Sequence, residues 1–351
     1  MPAALGQLAA LRTLSLRACR ALTCLPESVG RLAGLLMLDL THCTELTCLP
    51  ECVGRLAALT MLDLTGCTGL TGLPESMGQW VALTMLKLAD CTALTSLPAS
   101  PGRLGALTTL DLPACKRLTR LPETIGQLTA LVTLNLRSCR ALARLPESLG
   151  QLAALRKLML HCCLQLTCLP ESVGQLAAMT ALGVTNCTAL ARLPESMGRL
   201  KLATLDLLGC AALTCLPESL GQMPALTHLD VSLCPSLACL PESLGQLSAL
   251  TRLSLYECRA LTCLPNSLGQ LTLLTDLNTD ACHALAPGDH PWAAGIAAAN
   301  TQLARFRQRL LLLVMLGRRR DCSTPRLPPE LWNLVYAALC GCRKNERKMD
   351  R

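Results

Sequence analysis

The chain has 351 residues, of which 51% are hydrophobic and only 2% aromatic, so a large core must come from repeated Leu and Ala rather than from a few interlocking rings. Its net charge of +8 is lopsided: residues 1–300 carry 20 Lys+Arg against 20 Asp+Glu, and residues 301–351 carry 12 against 4, which places an electrostatic partner on the tail and not on the first 300 residues. Met1 opens into PAALGQL rather than a basic, apolar leader, and the longest strongly apolar run, Leu310 to Leu316, falls far short of the roughly 20 residues of a membrane span, so a soluble cytoplasmic monomer is expected.

From Leu11 the chain repeats one 24-residue sentence: Leu11, Leu14, Leu16, Cys19, Leu22, Leu25, Pro26, Gly30 and Leu32, after which Leu35 starts the next copy. Leu59, Leu83, Leu107, Leu131 and Leu155 keep the step, as do Pro50, Pro74, Pro98, Pro122, Pro146 and Pro170. A fixed period in the 20s marks stacked coils of the leucine-rich-repeat class. Within LxxLxL the leucines alternate with Thr, Ser, Asp or Lys, the period-2 pattern of a strand with one buried face; Leu14 and Leu16 should point inward, Thr13, Ser15 and Arg17 outward. The LPESxGQL segment that follows predicts a short helical or 3₁₀ return, with Pro fixing φ and Gly permitting the bend. The expected fold is an α/β leucine-rich-repeat solenoid, a curved horseshoe with a parallel sheet on the concave face and short 3₁₀ or α segments on the convex face. About 12 coils should occupy residues 1–285, spanning roughly 55 Å at about 4.8 Å per strand, with a basic helical cap or tail over 286–351.

Twelve of the 23 cysteines stand at one repeat position, from Cys19 to Cys282. They are predicted to be buried, reduced thiols that donate to backbone carbonyls left open between coils. Six more, Cys24, Cys48, Cys168, Cys215, Cys239 and Cys263, precede the Leu-Pro step. The resulting CxxxxC spacing recurs coil after coil instead of gathering four ligands, so no metal and no other cofactor is expected. The glutamates from Glu27 to Glu242 read as solvation near helical N-termini.

The period breaks once: Cys187 to Cys210 is 23 residues, because one residue is missing around Lys201. A shorter return leaves strand register intact, whereas a slip inside the strand would turn Leu205 and Leu207 outward. Trp80 in a leucine slot, Pro101 and Pro113 read as local packing changes. Past Leu285, a helix from Pro291 to about Leu316 and a second from near Pro328 to about Cys340 are predicted. Trp292, Ile296, Leu303, Leu310 and Leu313 fall close to helical spacing and would cover the apolar end of the last coil.

Catalysis is not expected. His228, Asp230 and Ser232 alternate along one strand, but residues two apart project in parallel about 6.6 Å apart rather than converging as a nucleophile, base and orienting acid must. His161, Cys162 and Cys163 come with no base. What remains is a surface. The candidate partner-binding residues on the concave face are Arg17, Asp39, Asp63, Lys87, Asp111, Arg137, Lys157, His161, Asp206, His228, Asp230, Arg252 and Tyr256.

Copies of the form CxxLxxLPESxGQL, as from Cys163 to Leu176, resemble the repeats of plant disease-resistance receptors and of intracellular Ras-group-related leucine-rich-repeat proteins, over about residues 5 to 285. The resemblance implies a non-enzymatic scaffold that binds a protein on its concave sheet, in intracellular signalling or defence. The nucleotide-binding module of those receptors has no counterpart, since no GxxxxGK[ST] loop occurs. In the tail, RLPPELWNLVYAAL from Arg326 to Leu339 resembles the opening helix of F-box motifs and the end of SOCS boxes. This implies a second reading, a substrate adaptor of a cullin-type ubiquitin ligase that docks through Leu327, Pro328, Leu331, Trp332 and Val335. A third reading, nucleic-acid contact by Arg305, Arg307, Arg309 and Arg318 to Arg320, is the least favoured, with Phe306 the one ring near that cluster.

Overall fold

Each LxL step sets a three-residue strand centred on its first leucine, as Thr13–Ser15 is on Leu14, because the leucines must face the core while the residues on either side of that first leucine face solvent. The computed structural model describes residues 3–99 and 104–285, all within one unit, Met1–Asp289. Pro101, the two tail helices, the cap stripe and the docking candidates Leu327, Pro328, Leu331, Trp332 and Val335 lie outside the described residues.

Twelve strands, from β1 (Thr13–Ser15) and β2 (Met37–Asp39) to β11 (Arg252–Ser254) and β12 (Asp276–Asn278), form one open parallel sheet in strict sequence order. Register follows the repeat: Leu14 pairs with Leu38, and Leu229 with Leu253. We number each coil by its strand. The structure is the curved leucine-rich-repeat solenoid that the period predicts, and every return among the described residues is 3₁₀, as over Glu147–Gln151. Pro146 stands in front of that turn in extended conformation (φ −73°), and the Leu152 amide closes it on the Leu149 carbonyl at 3.1 Å. Leu134, Leu136, Leu142, Leu149, Leu152 and Leu155 are fully buried, so stacking turns one coil's inward leucines into continuous columns.

Three further columns hold the coils together. The first is the cysteine ladder, in which the thiol reaches back one coil to an open carbonyl: Cys163 Sγ to Leu136 O at 3.2 Å, and likewise Cys67 to Leu40 and Cys258 to Val231. Burial pushes these thiols up, Cys187 and Cys234 to about 11 and Cys67 and Cys258 to about 12. Cys19 departs from the expectation of burial: its strand is the edge of the sheet, with no earlier strand to lie against, and it is exposed.

The second column is the residue before each ladder cysteine, which is left-handed throughout: φ is 59° at Ala18, 61° at Cys162 and 57° at Leu233, with glycine only at Gly66 and Gly209. That conformation costs a non-glycine residue roughly 1–2 kcal/mol. An inter-coil bond holds it in place, as where the Leu233 amide donates to the Tyr256 carbonyl at 2.7 Å. The third column sets glycine against serine. A Cβ on Gly150 would sit 2.6 Å from the Ser172 carbonyl oxygen, so the glycine of LPxxxGxL is there because the next 3₁₀ turn leaves no room for a side chain.

The short coil behaves as its sequence requires. β8 (Ala181–Gly183) and β9 (Thr204–Asp206) stay in register through Gly183 and Asp206, and Leu205 and Leu207 remain buried. The lost residue comes out of the turn after the 3₁₀ helix, where Leu200 is extended (ψ 145°) and Leu176, its equivalent, has ψ 67°. Trp80 is fully buried in its leucine slot because its indole N–H finds the Val53 carbonyl at 2.7 Å.

Candidate functional site

The outward residues of the sheet fall into three columns, and register brings the predicted contacts side by side on one face. Asp39, Asp63, Lys87 and Asp111 are consecutive neighbours in one column. Asp206 and Asp230 adjoin in that column farther along, and His228 and Arg252 adjoin in the next. Arg17, Arg137, Lys157, Asp206, Arg252 and Tyr256 are exposed, while Asp39, Asp63, Lys87, Asp111, His161, His228 and Asp230 are half-buried.

Several of the carboxylates also hold the scaffold. Asp39 Oδ1 accepts the Thr41 amide at 2.9 Å and the Thr41 hydroxyl at 2.5 Å, and its other oxygen accepts Ser15 Oγ at 3.0 Å. Burial alone would raise this carboxyl; the bonds from Thr41 and Ser15 outweigh it and hold the group below the ordinary carboxylate range. Asp63, Asp206 and Asp230 likewise accept the amides of Thr65, Leu208 and Ser232, two residues on, tying down the exit of each strand. Pro113 has no N–H to give, so Asp111 turns to the next coil and accepts Asn135 Nδ2 at 2.6 Å. Lys87 Nζ lies 3.4 Å from Asp63, and Arg252 Nε 3.7 Å from Asp276. The last pair is open to solvent and adds about 1 kcal/mol at most.

The histidines are shifted toward the neutral form: burial lowers His161, with Arg137 adding to the effect, and burial with Arg252 lowers His228. His161 Nδ1 sits 2.6 Å from Thr185 Oγ1, and His228 Nδ1 2.8 Å from Thr227 Oγ1. Ser232 Oγ lies 2.7 Å from Ser254 Oγ and Asp230 serves the Ser232 amide, so the partners of His228, Asp230 and Ser232 lead away from one another, as parallel projection requires.

Sequence reasoning missed a methionine stripe. Met37, Met61 and Met85 occupy the same strand position in three successive coils and stand in register, with Met37 37% exposed beside Leu36, itself 40% exposed. The signal was legible as the same apolar residue in an outward slot of three adjacent copies. Flexible, polarizable methionines in a row make an adaptable contact surface.

The glutamate series does more than solvate the turn N-termini. Glu147 accepts the Glu171 and Ser172 amides of the next coil at 3.3 and 3.0 Å, and Glu171 and Glu242 repeat the arrangement, so these carboxylates are inter-coil caps as well as solvated groups. Hydrogen bonds from Ser76 and from Ser267 hold Glu51 and Glu242 below the ordinary range.

A family model described as a leucine-rich repeat region matches residues 77–187. No curated protein matches the chain. Among solved structures the chain is similar to a leucine-rich-repeat protein of Leptospira interrogans, at 27% identity over 82% of this chain and 88% of that one, with a TM-score of 0.46. It is similar also to the leucine-rich repeat domain of the type III effector XopL, at 25% identity over 76% and 75% with a TM-score of 0.48, and to an internalin from Listeria monocytogenes, at 12% identity over 80% and 87% with a TM-score of 0.39. No catalytic family is indicated, and the likeness to plant disease-resistance and Ras-group-related proteins stays one of motif. With the family pattern matched across the central coils and the same coil built twelve times into one sheet, the chain is a leucine-rich-repeat protein.

Proposed function

We propose that the chain is a non-enzymatic scaffold that binds another protein across the concave sheet, in the cytoplasm and in intracellular signalling or defence. The leucine-rich-repeat fold is commonly a protein-interaction scaffold, which supports the general reading. The observation that carries the choice of face is the methionine stripe of coils 2 to 4, continuous in register with the charged columns: an apolar anchor bordered by charge is what a protein interface needs. Among the described residues no helix is long and apolar enough to cross a membrane. The ubiquitin-ligase adaptor and the nucleic-acid reading both rest on residues outside those described, and no observation favours either.

The test is position-specific photo-cross-linking of the full chain in the cells that make it. A photoreactive residue at Met61 or Lys157 should capture one protein that the same residue at Gln127, exposed at the end of a 3₁₀ turn, does not. Equal capture from both positions, or capture from Gln127 alone, contradicts the assignment of the concave face.

A further inference from the structure

The charge balance of the first 300 residues is a sum of unlike zones. Glu27 to Asp90 holds seven carboxylates against three cations, and Asp206 to Asp280 holds seven against two. Within the stretch between them, the window from Lys116 to Arg144 holds Lys116, Arg117, Arg120, Arg137, Arg140 and Arg144 against one carboxylate, Glu123, with Asp111 and Glu147 just outside it. Net charge summed over 300 residues thus hides a basic band in coils 5 and 6 that period 24 stacks in one place, beside the basic tail singled out by the sequence.

The repeat fixes where the band lies. Arg137 is two residues before a ladder cysteine, Lys116 and Arg140 directly after one, Arg117 one further on, and Arg120 and Arg144 five after. The six side chains therefore run from the exit edge of the sheet down one flank of two adjacent coils. All six are exposed, and the ion pairs among the described residues, Lys87 with Asp63, Arg252 with Asp276 and Arg259 with Glu257, involve none of them. Arg120 and Arg144, with Arg192 farther along, rim a groove of about 1130 Å³ that crosses the coils over a floor of leucine and proline. Glu123, Glu147, Glu171 and Glu195 wall the same groove; amides of the following coil hold the last three, and no ion pair among the described residues joins any of the four to Arg120, Arg144 or Arg192.

We propose that this flank docks an extended acidic segment of a partner protein, its carboxylates on the arginine rim and its carbon stems on the Leu-Pro floor. Charge complementarity selects the sign. The groove's mixed lining favours a peptide over a nucleic acid: an extended chain puts alternate side chains on opposite sides and can keep its acids off the glutamate wall. A phosphate backbone would carry charge past that wall at every step, and the band offers no aromatic ring for bases to stack on. The proposal is independent of the concave face.

The test uses the full chain and fluorescence anisotropy with a labelled alternating Glu-Val dodecapeptide, a labelled oligouridine as the competing probe, and a series of salt concentrations. The peptide should bind, more weakly as salt rises, and the triple variant Arg117→Gln/Arg120→Gln/Arg144→Gln should weaken it at least about tenfold with an unchanged circular-dichroism melt. The single variant Arg144→Gln should weaken it about threefold, which guards against misfolding of the triple. The tail variant Arg318→Gln/Arg319→Gln/Arg320→Gln should leave binding within about twofold. Undiminished binding by the flank variants, loss confined to the tail variant, tighter binding of oligouridine than of the peptide, or no peptide binding at low salt would each overturn it.

Discussion

Glu171 caps the coil that follows it: one carboxylate oxygen takes the Ser196 amide at 3.1 Å and the other takes the Glu195 amide at 3.3 Å. The 3₁₀ turn opens behind a proline, which offers no side-chain cap of its own, so the acceptor has to come from the previous coil. Glu171→Ala should lower stability by about 1 kcal/mol and Glu171→Gln by about half of that, read from the urea midpoint. An effect within error for both would reduce the series to surface charge. The same caps set an acid limit. Glu51 and Glu242 lie below the usual 4.5 when folded, so their contribution is present above that value and is lost as pH falls through and below it.

Two glycines of the same chain should respond oppositely to one methyl group. At Gly150 the new Cβ meets the Ser172 carbonyl oxygen at 2.6 Å, and backbone cannot give way without parting two coils, so Gly150→Ala should cost about 1–3 kcal/mol or more. At Gly72 nothing lies within 4 Å, and Gly72→Ala should be neutral or stabilise slightly through the unfolded state. Differential scanning calorimetry of the two variants checks this; equal melting temperatures would mean that the glycine column is not a packing requirement.

The cysteine ladder predicts an alkaline limit. Folded pKa values raised to about 11 at Cys187 and Cys234 and about 12 at Cys67 and Cys258 mean that the unfolded state loses these protons first. Stability is complete below the unfolded value near 9.0 and falls as pH rises from there toward 11–12, by up to about 1.4 kcal/mol per pH unit for each thiol. Urea midpoints under reducing conditions should drop clearly between pH 8 and 10. In parallel, a thiol reagent at pH 8 should modify exposed Cys24, Cys48, Cys215, Cys239 and Cys263 quickly and Cys67 to Cys258 of the ladder only on unfolding.

The fold was legible because its signals repeat: Leu134 and Leu136 say little alone, but the same spacing in twelve copies fixes strand phase, return path and core column together. The break near Lys201 was legible for the same reason, since only a deletion in the return keeps Leu205 inside. The site was less so. A column of aspartates looks the same in sequence whether it waits for a partner or caps its own backbone, and the amides of Thr65 and Ser232 become visible as donors only once the strand has turned. The glutamate caps and the glycine packing were hidden similarly, because both join residues 22 to 25 apart whose contact depends on how the coils stack.

The central claim, that the concave sheet is the protein-binding face, is tested most directly by the affinity of the protein captured from Met61. Isothermal titration should show the double variant Met61→Glu/Lys157→Glu binding that partner at least about tenfold more weakly than the unaltered chain, with the melting temperature preserved, because both side chains lie in outward strand slots. Unchanged affinity in the folded double variant would contradict the claim and move the binding face elsewhere on the solenoid.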